Sequence, residues 1–301
     1  MTESLHNLGA DAAIELEKDK MDLRPGIKFI EEHFSNFAAG RDTIMSRQPS
    51  AEARAWADAL TFEEVDKIKG QQVRPAEARE LLARMPEAMI ALSRLKTVTY
   101  HYGSDVIEPI YNEDGTMKTG NTVPIDEWGK DGEHKKNPTR ILIGLTIDSG
   151  EKIYQSALPP VAYKNPEAAH MYQLHVLMHE FFHTIERPRQ DSEIRKQIVL
   201  ETNGQRFTFN EWWRWFEDAI DYHIDAYVSR YAEGYADRLT SATKESDYAE
   251  YTKAIAEQIC ESFVGHQLNI ISNDHGGTNF RDTMPRAWAM IDTLCRAKVI
   301  S

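Results

Sequence analysis

The chain of 301 residues has only two cysteines, Cys260 and Cys295, which excludes the disulfide framework that small secreted domains rely on. Two reduced thiols are expected, with a single bridge as the alternative. No apolar run reaches the roughly 20 residues of a membrane span. The acidic opening MTESLHNLGADAAIELEKDK lacks the apolar stretch of a Sec signal peptide. A cytoplasmic location, or export by a route without a Sec signal, is therefore expected, with no membrane partner. Basic charge is also scarce: 35 Lys and Arg stand against 48 Asp and Glu, for a formal net charge of -13. A nucleic-acid partner is not expected, because grip on a phosphate backbone needs clustered Lys and Arg. Internal repeats and low-complexity tracts are missing too, which leaves out solenoids and arrays. Nothing in the composition speaks to oligomeric state.

What is present is ordinary globular material, 41% hydrophobic and 28% charged, enough for a sizeable core. Up to about residue 95 the pattern is helical. IKFIEEHFSNF has apolar residues at helical spacing, Thr61-Phe62-Glu63-Glu64 reads as a capping box, and PAEARELLARMPEAMIALSRL divides at Pro86. Strand texture follows in Thr97–Tyr102, Arg140–Ile147 and, more briefly, Ile153–Leu158. Between the first two, Asp114-Gly115 suggests a hairpin or protruding loop. Either of the last two strands could take an extended peptide by backbone pairing. Later, a polar connection leads to the capping box Thr208-Phe209-Asn210-Glu211 and a long helical run whose aromatics read as core. Asp247-Tyr248-Ala249-Glu250 opens a further major helix, and a short one follows Pro285. His101, His134 and His223 read as strand, surface or packing residues, since no second ligand stands beside them at metal-binding spacing.

One segment carries chemistry. His179-Glu180-Phe181-Phe182-His183 matches HExxH, the zinc-peptidase pattern in which histidines at i and i+4 share a metal and the glutamate acts as general base. Its frame is a helix: Asn165 can cap it, Pro166 and Glu167 suit its first turn, and Arg187-Pro188 end it. At about 100° per residue, Leu174, Leu177, Phe181 and Ile185 fall on one side. Tyr172, His175, His179, His183 and Glu186 fall on the other. Two exposed histidines on an ordinary helix would be the bland reading; the position of the motif on an amphipathic frame weighs against it. His175 and Glu186, one turn to either side of the pair, are expected to orient the ligands or make simple polar contacts. A catalytic zinc needs a third protein ligand. Two acid-x-x-x-acid segments compete, Glu257 with Glu261 and Glu233 with Asp237.

The segments HEFFHTIE, EQICESF and MPRAWAMIDTL, in that order, resemble the catalytic domain of anthrax lethal factor and its relatives, which include the Pro-Pro endopeptidases. The resemblance implies a zincin-like metallopeptidase domain over 75–301, of gluzincin type, preceded by an N-terminal helical region over 1–74. It further implies zinc on His179, His183 and Glu257, Glu180 as base, and Glu261 holding a metal-bound histidine. Relatives also place an oxyanion-stabilising tyrosine shortly before the third ligand. Glu250 stands at that position here, and Tyr251, then Tyr248, are the neighbouring candidates. SRYAEGYAD is similar instead to a segment of HtpX-like peptidases and would make Glu233 the ligand, although those proteins are generally membrane-embedded. The expected fold is thus α+β, predominantly helical, with a small sheet. The expected function is a zinc metallopeptidase, in the form of an endopeptidase acting on a peptide or protein substrate. The alternative is a catalytically inactive, zinc-stabilised binding protein.

Overall fold

Helix boundaries follow local chemistry in most places. The computed structural model describes residues 24–64, 74–101, 120–123, 139–144, 166–189, 192–221, 248–269 and 279–300. Among the described residues, helix α1 (Arg24–Ser46) comes first. In α2 (Ala51–Ala59) the Ser50 side chain accepts the Ala53 amide at 3.2 Å, satisfying an N–H that the first turn leaves without a helical partner. Pro75 opens α3 (Pro75–Leu82), and Pro86 separates it from α4 (Glu87–Leu92), as the sequence anticipates.

Thr61-Phe62-Glu63-Glu64 does not cap a helix. It forms β1 (Thr61–Glu64), parallel to β2 (Thr97–His101) with Thr61 opposite Thr97 and Glu64 opposite Tyr100. The Thr61 amide donates to the Lys96 carbonyl at 2.9 Å. The Thr99 hydroxyl and the Arg140 guanidinium both reach Glu63, at 3.1 and 3.3 Å. The Thr61 amide, which a capping box would give to Glu64, is thus used by the chain beside it, and tertiary pairing overrides the local signal.

Strands β3 (Gly120–Val123) and β4 (Arg140–Gly144) complete a sheet of order β1-β2-β4-β3. β4 runs parallel to β2 and antiparallel to β3, so both its edges are paired. That corrects the expectation that β4 could receive an extended peptide. β3, which falls in the stretch expected to be a loop or hairpin, is the edge strand next to it; Ile153–Leu158 lies outside the described residues.

Helix α5 (Pro166–Glu186) carries the histidine motif and continues into a 3-10 turn, Arg187–Arg189. After α6 (Ser192–Gln197) the expected polar connection proves to be a hairpin, β5 (Val199–Thr202) and β6 (Gln205–Thr208). Asn203 and Gly204 turn it with φ of 50° and 75°, the two positive values that a two-residue I′ turn requires and that Asn-Gly supplies. The Thr208 capping box is formed: its amide donates to Glu211 at 2.7 Å and its hydroxyl accepts the Glu211 amide at 3.1 Å, starting α7 (Phe209–Asp221). There follow α8 (Tyr248–Leu268), α9 (Phe280–Thr283), α10 (Pro285–Arg296) and β7 (Lys298–Val299), which pairs antiparallel with β5. The fold is predominantly helical α+β.

The core sits around α5 and α8. Phe181, Phe182 and Ile185 meet Ile255, Ile259 and Phe263, with the Phe182 and Phe263 ring centroids 5.0 Å apart. Each such side chain contributes roughly 1.5–3 kcal/mol by leaving water. Trp212, Trp213 and Phe216 of α7 are buried as expected, while Trp215 faces outward against Phe207. Phe37, Ile44 and Leu60 belong to the same core cluster, so residues on both sides of the boundary expected at 74 pack together.

Helix α1 lies on the C-terminal end of α8, and Gly40 permits the close approach. A Cβ there would stand 2.8 Å from the Cα of Leu268 and nearer still to its carbonyl oxygen. Because the obstacle is backbone, Gly40→Ala is expected to destabilise the fold by about 1–3 kcal/mol despite its better helix propensity. A denaturant midpoint unchanged or raised in that variant would contradict the packing.

Candidate metal centre

Two histidines four residues apart on α5 point their rings into the seam with α8, where Glu257 and Glu261 come from successive turns. His179 Nε2 and His183 Nε2 are 3.1 Å apart. Glu257 Oε2 is 3.2 Å from the first and 3.4 Å from the second. All three side chains are at most 8% exposed. The polar side of α5 is therefore not a solvent face: it is buried against the acids of α8.

The backs of the rings are committed elsewhere. His179 Nδ1 lies 2.7 Å from Glu261 Oε1, and His183 Nδ1 lies 2.7 Å from Glu186 Oε1. A carboxylate only accepts, so each Nδ1 carries a proton, and each Nε2, once it gives up its own proton, turns a lone pair inward. Two imidazole lone pairs and a carboxylate oxygen thus converge on one point, and such a set demands a cation, whether proton or metal. The spacing is close to what a metal needs: ligand atoms about 2.0–2.2 Å from a tetrahedral ion stand about 3.3–3.6 Å from one another.

Two other groups could hold a metal ion by proximity, the buried His179, His183 and Cys260, and the half-buried His175 with the buried His179 and Glu261. Both are less suited. Cys260 Sγ lies 3.4 Å from the Nδ1 of His183, the nitrogen already bonded to Glu186. In the second group the 2.7 Å between His179 Nδ1 and Glu261 is hydrogen-bond spacing.

Electrostatics follow from this crowding. Burial alone lowers the His179 pKa, but hydrogen bonds and charge from Glu257 and Glu261 carry it well above its ordinary 6.5. For Glu257, burial pushes upward, and the His183 charge with bonds from both histidines holds it well below 4.5. Glu261 is likewise held far down, against burial, by His175 and His179. In the metal-free chain the His179 contribution to stability is full below about pH 6.5 and lost as pH rises through the raised value. The Glu257 and Glu261 contributions are full above about pH 4.5 and lost on acidification through their lowered values. Thermal midpoints of the metal-free protein should therefore peak between these limits and fall on both sides. A flat profile would contradict these couplings.

The end of α5 is fastened independently. Arg189 is buried and donates to the carbonyls of Leu92 (2.8 Å) and Ile185, setting its charge at the C-terminal ends of α4 and α5. Burial, with the nearby charge of Arg94, pushes its pKa down to about 10. The Thr184 hydroxyl, 2.8 Å from that of Ser93, adds a second tie.

Of the residues expected at the site, His179, His183, Glu257 and Glu261 come together, with Glu186 and His175 bonded to members of the set. Glu180 is buried on α5. Tyr251 is half-buried in the first turn of α8 and packs against the core; six residues before Glu257, it is about 120° around the helix. The Tyr248 side chain, Glu233 and Asp237 fall outside the described residues. Sequence reasoning passed over Cys260, whose position three residues after Glu257 was its only signal.

Searches among protein-family models, curated proteins and solved structures found no match. Among the described residues, no helix is long and apolar enough to cross a membrane.

Proposed function

We propose that the protein is a zinc-dependent metallopeptidase with a zincin-like catalytic unit, in which His179, His183 and Glu257 hold the ion and Glu180 is the general base. The observation that carries this reading is the convergence of three lone-pair donors at 3.1–3.4 Å, two of them from the histidines of an HExxH sequence whose glutamate, Glu180, is buried on the same helix. Two imidazoles and a carboxylate form a donor set that catalytic zinc takes, with a position left for water. A zinc ion held there supplies Lewis acidity, which lowers the pKa of a water and polarises the scissile carbonyl.

The remaining work falls to the chain. Glu261 and Glu186 keep the two imidazoles in the tautomer and orientation that the ion needs. Glu180 accepts the proton of the attacking water on its carboxylate and passes it to the departing amine. Strand β3 packs beside α5, and among the described residues no strand pairs with its outer edge, which supports binding of an extended peptide there. Tyr251 is the candidate donor to the oxyanion. The net negative charge favours basic or neutral peptides.

A zinc titration against a chromogenic chelator should show uptake of about one ion, and the loaded chain should cleave members of a broad peptide library. Chelation should stop the cleavage and zinc restore it. A chain that takes up no zinc ends this reading. A chain that takes it up and cleaves nothing leaves the non-catalytic alternative, which the bridging of α5 and α8 by the ligand set favours.

Because the ion must displace the proton that His179 holds, apparent zinc affinity should rise about tenfold per pH unit until the raised His179 pKa is passed. Competition with a chelator of known proton affinity measures the slope, and a pH-independent affinity would contradict it.

A further inference from the structure

We infer that His175 is a positioning residue of the same centre, acting on His179 through Glu261; the inference rests on the reading that His179, His183 and Glu257 hold a metal ion. His175 lies one turn before His179 on α5, with its ring within 19° of parallel and the ring centroids 6.5 Å apart. Its Nε2 is 3.0 Å from Glu261 Oε1, the same oxygen that lies 2.7 Å from His179 Nδ1. Since that oxygen only accepts, both imidazoles donate to it. Two donors from successive turns of one helix therefore grip a single carboxylate oxygen offered by another helix.

The two ligand histidines are backed in different ways, and the difference assigns His175 its role. Glu186 stands three residues after His183 on the same helix, so the geometry of α5 itself fixes their separation. Glu261 must reach His179 from α8, so its place depends on how two helices register and on the last torsion of a glutamate, which is intrinsically broad. The His175 bond restrains both. Without it the Glu261 carboxylate can swing about that torsion, the bond to His179 Nδ1 slackens, and the inward aim of Nε2 is lost. Direct ligation by His175 is the poorer assignment, because its Nε2 is already directed at Glu261.

The test uses the full chain, with zinc as probe. Chelator competition should show His175→Ala binding zinc about tenfold more weakly than the parent, as loss of a partner behind a ligand does. His175→Gln, whose amide can donate to the same oxygen, should return to within about threefold. In a Glu261→Ala background, His175→Ala should cost nothing further, because the oxygen through which it acts is gone. Metal-free His175→Gln should still unfold in a single cooperative transition, which shows that the variant is folded.

Three results would overturn the inference: unchanged zinc affinity in His175→Ala, failure of His175→Gln to recover affinity while folded, or full additivity with Glu261→Ala. Should the parent chain bind no zinc, the metal reading itself fails and this one with it. Stoichiometric zinc in the parent with normal affinity in His175→Ala removes only the role given to His175.

Discussion

Glu180→Gln should lower peptide hydrolysis by about 10²–10⁴-fold while the protein keeps its zinc. The substitution is nearly isosteric and leaves every atom of the ligand set in place. It removes only the carboxylate that can accept a proton. Glutamine cannot serve as a base at any working pH, so raising the pH should not rescue activity. Zinc content by atomic absorption, measured on the preparation used for the assay, separates this from trivial metal loss. If Glu180→Gln kept more than about a tenth of the parent activity, another group would have to be the base.

Glu257→Ala should abolish stoichiometric zinc binding. It takes away one of three converging atoms and leaves His179 and His183 facing a gap in a buried seam. Loss of a ligand should cost more than the 10–100-fold typical of residues standing behind a ligand, so about 10³-fold or greater is expected. The same variant should lose the rise in thermal midpoint that zinc gives the parent, since binding to the folded state alone is what raises it. Glu233→Ala, changed at the rival position, should behave as the parent does. Zinc retained in Glu257→Ala and lost in Glu233→Ala would move the third ligand to the other segment.

The histidine helix was the most legible part of the chain. Its start at Pro166, its stop at Arg187-Pro188 and the shared side of His175, His179, His183 and Glu186 all follow from local rules that act within one or two turns. The nearness of Glu257 to that helix was not readable from periodicity or spacing, because 74 residues separate it from His183; it entered through a resemblance. Burial of the polar side of α5 was also hidden, since a side rich in histidine and glutamate looks solvated until its acidic partner helix is known. β1 was misread because a capping box and a short strand draw on the same residues, and only the distant β2 decides between them. The β5–β6 hairpin is the reverse case. Asn203-Gly204 is a strong local turn signal, obscured by flanking strands of four residues each.

The contact between Gly40 and Leu268 is more than a packing detail. Two of the converging atoms sit on α5 and the third on α8, so the size of their triangle depends on how the two helices are placed. Leu268 is eleven residues beyond Glu257, about 16 Å along a single rigid helix. A displacement of that end would be carried along the helix toward Glu257. Substitutions in α1 that shift α8 would therefore change the spacing of the three converging atoms without touching them.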